Sequence, residues 1–235
     1  YFADYDAALR IWKPRCAYFE IETDEKKGTL TVHYTLRENM FWTYYGSDKK
    51  IPVTSDDVIF WYNDISGDEA FQSSAYPQQF VTMSDGSEKH IDIVRVSDRK
   101  FDFVFPRIVA DPLLATNMSF GPSFIYKPAK DSGGVEGVKK LFSVADDPKL
   151  IPSMGRWYIT EYIPAQRIVL KRNPYFWDKD EYGVNEPYPE EQIIQIVGDQ
   201  NTDYLLFRQG KLETYSPRPE EVDAVVDGQN KDGYT

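Results

Sequence analysis

Residues 29–36 read Thr29-Leu30-Thr31-Val32-His33-Tyr34-Thr35-Leu36. Leu30, Val32, Tyr34 and Leu36 fall on one parity, and Thr29, Thr31, His33 and Thr35 on the other. A period of two with one apolar parity marks a strand buried on one face. Residues 18–22 supply its hairpin partner across Asp24 and Gly28, with Gly28 where a tight turn needs a left-handed backbone. The pattern recurs at 91–96 with 100–105, turning on Ser97-Asp98-Arg99 and placing Phe101, Phe103 and Phe105 on one face. A third hairpin runs over 157–162 and 166–172 around Pro164-Ala165, and 192–197 reads as a further strand.

Helices are written between these hairpins. Thr54 is a cap, Asp57 its reciprocal partner three residues on, and Val53 and Val58 form a hydrophobic staple. Val58, Trp61, Tyr62 and Ile65 then follow the i, i+3, i+4, i+7 stripe of a core-facing helix that Gly67 ends. By the same reading Trp61, Tyr62 and Phe103 are core residues. A short helix is predicted over 135–142, inside a Pro- and Gly-interrupted stretch spanning 106–155. Another covers 201–209, capped by Asp199 and stopped by Gly210, and a last one covers 219–227 with Val222, Val225 and Val226 buried. Residues 39–50 mix aromatics with polar groups and read as a loop. With no repeat, low-complexity tract or linker, the expectation is one α+β (mixed α/β) unit of mostly antiparallel hairpins with packed helices.

Composition narrows the functional classes. The chain has 235 residues, 41% hydrophobic and 15% aromatic, and a net charge of −11. That is enough apolar material for a sizeable core and too much for a disordered chain. The negative balance offers nothing to neutralise phosphates or anionic lipid, so neither nucleic acid nor a membrane surface is an expected partner. The longest apolar run, 58–62, is far short of the ~20 residues of a spanning helix. Cys16 stands alone, which precludes an internal disulfide and a thiolate metal cluster. The chain begins at Tyr1 and stops soon after its last helical segment, so it reads as a piece of a longer polypeptide.

No pattern announces catalysis. There are two histidines, His33 and His90, no G-x-S-x-G elbow, and no base beside Cys16. Asp178-Lys179-Asp180-Glu181-Tyr182-Gly183 begins like a calcium loop but has Tyr182 at position five and Pro189 at position twelve. Asp199, Asn201 and Asp203 fail similarly, with Tyr204 where Gly should stand. Asn117-Met118-Ser119 matches a glycosylation acceptor, a triplet too common to carry weight. Gly133-Gly134 and Gly137 form no phosphate cradle. No enzyme activity, metal or cofactor is therefore expected. What remains is aromatic. Trp42, Tyr44 and Tyr45 in the 39–50 loop, with Arg156 beside Trp157, are the candidate ligand-binding residues. Their rings offer broad contact area, and a guanidinium fork matches a carboxylate. Packing within the fold is the competing role for each.

Four ordered segments together resemble the bacterial extracellular solute-binding proteins of family five, the dipeptide, oligopeptide and nickel receptors of ABC importers. Residues 31–39, Thr-Val-His-Tyr-Thr-Leu-Arg-Glu-Asn, resemble the family's "tFtLRdg" strand. Pro52-Val53-Thr54-Ser55-Asp56-Asp57-Val58 looks like its "PvTAeDV" helix start. Residues 168–177, Ile-Val-Leu-Lys-Arg-Asn-Pro-Tyr-Phe-Trp, are similar to "ivLerNpdYw". Asp199-Gln200-Asn201-Thr202 with Leu205 and 208–213 matches "pdantrlaaLqsGevD". The chain departs from the family at Gly155-Arg156-Trp157-Tyr158, where G-T-G-P-Y is usual, and at 41–48, which replaces "F-h-D-G".

The resemblance implies a lobe with the type II periplasmic-binding-protein fold, spanning 1–235, in a receptor whose second lobe lies outside this chain. It implies capture of a peptide or related small solute between two lobes, docking on a membrane permease, and no covalent chemistry. A monomer is expected, working outside the cytoplasm in the periplasm or on the outer face of the membrane. An anchor would be a lipid-bearing residue upstream of Tyr1, since Cys16 follows sequence that already looks folded. Two alternatives stand beside this reading: a protein-interaction or sensor domain reusing the fold, and an oligosaccharide-binding receptor.

Overall fold

The computed structural model describes residues 1–232. A hairpin of β1 (Ala3–Asp6) and β2 (Ile11–Pro14) leads into β3 (Ala17–Asp24) and β4 (Thr29–Leu36). Alternation in β4 is complete: Leu30, Val32, Tyr34 and Leu36 are buried, while the residues between them are half-buried. Residues 39–50, expected as a loop, instead contain a short strand, β5 (Phe41–Thr43), and the first residue of its partner β6 (Lys50–Pro52). Mixed polarity hid them, because Trp42 and Thr43 bury against distant segments rather than against their own hairpin.

Helix α1 (Ser55–Phe60) starts as the capping residues predict, with the Asp57 carboxylate accepting from the Thr54 backbone N–H at 3.1 Å. It does not continue as an α-helix. From Trp61 to Ser66 the backbone widens into a π turn, and Trp61 leaves the core while Val58, Tyr62 and Ile65 remain buried. Two donors hold the carboxyl end of this turn. The Gln79 amide donates to the Tyr62 carbonyl at 2.8 Å, and the Lys130 ammonium donates to the Asp64 carbonyl at 2.6 Å. Gly67 follows because a Cβ there would lie 2.7 Å from the carbonyl oxygens of both Tyr62 and Asn63.

Beyond it come β7 (Phe80–Thr82), β8 (Glu88–His90), β9 (Asp92–Ser97) and β10 (Lys100–Phe105). The main sheet is antiparallel in the order β3-β4-β10-β9. Phe101, Phe103 and Phe105 join Phe2, Tyr34, Val32 and Val58 in the principal core. Helix α2 (Pro112–Thr116) follows, and α3 (Ser123–Lys139) is much longer than the predicted 135–142 helix. Prolines at 122 and 128 disguise its beginning. Pro122 occupies the cap, where a missing N–H costs nothing. Gly134, at φ 58°, breaks the helix near the predicted start.

A second antiparallel sheet, β11 (Trp157–Ile163), β12 (Arg167–Arg172) and β13 (Glu191–Gln195), stands apart in the pairing. Helix α4 (Gln200–Arg208) takes its predicted cap, the Asp199 carboxylate accepting from Asn201 and Thr202. Helix α5 (Val222–Asp232) corrects an expectation, because Val222 and Val226 are 43% and 59% exposed. Helical spacing marks an apolar stripe, but burial needs a facing surface, and α5 packs mainly on the turn Pro219–Glu221 before it.

Candidate functional site

The five residues singled out from the sequence separate into two groups. Trp42 is a core residue, 4% exposed, with its indole N–H donated to Asp57 at 3.0 Å and its ring edge-on to Phe120. It presents no surface to a solute, which corrects its reading as a loop aromatic. The other four lie along a seam between the β5–β6 hairpin and the second sheet. Thr43 and Ser153 exchange backbone hydrogen bonds at 2.9 and 3.1 Å, bringing Tyr44 and Tyr45 beside the segment that carries Arg156 and Trp157. Beneath them the hydroxyls of Thr43 and Tyr158 meet at 2.6 Å, and Tyr158 donates to Asn173 Oδ1 at 2.7 Å. Asn173 then donates to the Gly155 carbonyl at 2.9 Å.

Two of the four side chains on the seam, Tyr45 and Arg156, have local partners. Tyr45 is 40% exposed and packs edge-on against Tyr158, with ring centroids 6.0 Å apart. Tyr44 is half-buried, and that burial pushes its phenol pKa up. The Arg156 guanidinium pairs with Glu186 at 2.7 Å and lies 5.7 Å from the Phe176 ring centroid. Its fork already holds a carboxylate of this chain. Trp157 is half-buried and opens β11 opposite Arg172. The arrangement is that of a joint between the hairpin and the second sheet. The second calcium-like stretch is the cap of α4, and in the first Asp180 closes a turn, accepting from Tyr182 and Val184. Among the described residues no metal-binding group of His, Cys, Asp or Glu is found.

A different place has the form of a ligand site. A cavity of about 300 Å³ is bounded by the π turn, the segment 73–79 and the residues following α2. Trp61, Tyr62 and Ser66 form one wall, Gln78 and Gln79 another, and Asn117 and Ser119 a third, with Tyr1 at the margin. The π geometry makes the first wall. Its i→i+5 bonding brings residues five apart onto one face, so Trp61 and Ser66 line the same space. Trp61 is held in place from behind. Its ring packs edge-on to Tyr126 at 5.0 Å, and a Cβ on Gly121 would come within 2.4 Å of it.

Several of the wall's polar groups are committed to the fold. The Asn117 side chain bonds the backbone of Phe2 and Ala3, and Gln79 bonds Tyr62 and His90. The Tyr62 hydroxyl donates to the Ile91 carbonyl at 2.8 Å, and burial pushes its pKa up. The hydroxyls of Ser66 and Ser119 and the Trp61 indole N–H take no protein partner among the described residues. The sequence concealed this site by its helical period: read at 3.6 residues per turn, Trp61 belongs to the core stripe. None of the five expected residues lines the cavity.

Comparison with known proteins gives one consistent relationship. The family described as bacterial extracellular solute-binding proteins, family 5 Middle, matches residues 12–235. A probable ABC transporter-binding protein of Deinococcus radiodurans is 29% identical over 206 residues, 84% of this chain and 33% of that protein. A periplasmic alpha-galactoside-binding protein of Rhizobium meliloti is 34% identical over 146 residues, 60% of this chain and 20% of that protein. Among solved structures, an oligopeptide-binding protein OppA superposes with a TM-score of 0.71 at 19% identity, over 100% of this chain and 38% of the other. The structural likeness is to a periplasmic-binding-protein type II fold. The chain spans about a third or less of the length of these curated relatives.

Proposed function

Because this chain belongs to the bacterial extracellular solute-binding proteins of family 5, we propose that it is one lobe of a two-lobed receptor. That receptor hands a small solute, a peptide or a related compound, to an ABC permease. The observation that carries the reading is the cavity at the π turn: an aromatic wall fixed from behind, with unpartnered donors and acceptors beside it. Ligand pockets are built this way, mostly apolar with a few polar groups that set orientation. The exposed second sheet supports the lobe reading. All five residues of β13 are exposed, including Ile193 and Ile194, and a surface of that kind suits further polypeptide packed upon it.

Such a receptor works by closure, without covalent chemistry. A solute shifts an open–closed balance only as far as it contacts both lobes in the closed form. This lobe alone supplies part of those contacts and binds weakly. The proposed setting is outside the cytoplasm, as a monomer, with any lipid tether upstream of Tyr1.

A thermal-shift comparison of this chain with the longer polypeptide containing it tests the reading. Di- to hexapeptides, malto-oligosaccharides and Ni²⁺ are each added. A ligand at 100 times its dissociation constant adds about 2.7 kcal/mol to native stability. The expected result is a clear rise in Tm for the longer polypeptide with one class and little or none for this chain. No shift in either protein with any class would remove the transport reading in favour of a protein-interaction module.

A further inference from the structure

We propose that the cavity at the π turn is a subsite for an uncharged hydroxyl-bearing ring, one sugar unit of an oligosaccharide, and not for a charged end of a peptide. The inference rests on the receptor reading above and adds the class of its solute. Charge is the first argument. Asp, Glu, Lys and Arg make up 28% of the chain, yet none of them lines this cavity. A peptide's ammonium or carboxylate placed here would lose water with no countercharge from the side chains that line the cavity, a large cost. A sugar hydroxyl loses much less and regains it by hydrogen bonding.

The available partners suit hydroxyls. Ser66 and Ser119 each both donate and accept, and the Trp61 indole donates only. All three lack protein partners among the described residues, so a ligand that supplied none would leave them unpaired. Sites with that property discriminate strongly against analogues lacking the matching group. Shape agrees. The Trp61 ring is pinned by Gly121 and Tyr126 and so is ordered before binding, and an indole lining a cavity can cover the C–H face of a pyranose. A volume of about 300 Å³ sits at the lower end of ligand pockets, roughly 300–1,000 Å³, which suits one ring of a longer molecule.

The test follows the indole N–H resonances of the five tryptophans by NMR in the ¹⁵N-labelled chain, with Trp61→Phe assigning one of them. Raffinose is titrated in one arm and tetra-alanine with free termini in the other. Raffinose is expected to move the Trp61 resonance. Joint Ser66→Ala and Ser119→Ala replacement should weaken that response by about ten-fold without changing the rest of the spectrum. A Trp61 response to tetra-alanine and none to raffinose overturns the saccharide assignment and leaves the receptor reading intact. So does silence of Trp61 in both arms while a solute still stabilises the longer polypeptide. If no solute stabilises the longer polypeptide, the receptor reading fails first and the subsite falls with it.

Discussion

Asp57 shows how much one side chain organises. It is 2% exposed and accepts four hydrogen bonds: from the Thr54 backbone, the Trp42 indole, and both the backbone and hydroxyl of Ser123. Three separate stretches of chain thus meet on one carboxylate. Replacing it leaves several buried donors unpaired at roughly 1–3 kcal/mol each, so Asp57→Ala should cost on the order of 3–5 kcal/mol in urea unfolding. Thr54→Ala, which keeps the backbone donor, should cost much less. The sequence announced Asp57 as half of a capping box. The bonds from Trp42 and Ser123 were invisible there, since nothing local relates residues 15 and 66 positions away.

His33 makes a second case at this scale. Its imidazole lies between Asp102 at 2.8 Å and Glu22 at 3.2 Å, on the outer face of the main sheet. Partial burial alone would lower its pKa, but the hydrogen bonds to Asp102 and Glu22 outweigh that, and the net shift is upward. A group that holds its proton more tightly when folded stabilises the fold fully below its unfolded pKa of about 6.5. That contribution is lost as pH rises through the higher folded value. The side chain is 37% exposed, so solvent screening keeps the effect below about 1 kcal/mol. An NMR titration of His33 should move toward the ordinary value in Asp102→Asn, and His33→Gln should flatten the fall in stability above pH 6.5. An unchanged titration in Asp102→Asn would contradict the bridging role.

Elements differ sharply in how they are secured. Strands β4 and β10 lie inside the four-stranded sheet, paired on both sides, with their core faces buried. Strand β13 is paired on one side only, and α5 exposes much of its apolar stripe. Local opening is cheapest where few apolar contacts are lost. Amide hydrogen exchange on this chain should therefore be slowest in β4 and β10 and faster by orders of magnitude in β13 and α5. On the two-lobe proposal, the longer polypeptide should slow exchange in β13 specifically, because a covered sheet face opens less often. Legibility followed the same division. Hairpins with strict alternation were readable because period two is a local property. The π turn was not, because a sequence of α-helical period does not reveal where the ladder slips by one residue.

For the whole molecule, the sequence by itself determined the antiparallel hairpins, the start of α1, the α+β class and the family, through motifs at 31–39, 52–58, 168–177 and 199–213. Each of those rests on residues a few positions apart. Tertiary structure alone decided which aromatics are buried, which sit on the seam and which line a cavity. Trp42 went inward because Asp57 and Phe120 accept it, while Tyr44, Tyr45, Arg156 and Trp157 became parts of the joint between the β5–β6 hairpin and the second sheet. Trp61 went outward to a cavity whose walls come from residues 61–66, 73–79 and 115–119. The physical reason is common to all of them. Local geometry selects the element, but a side chain's exposure depends on which distant surface the chain brings against it.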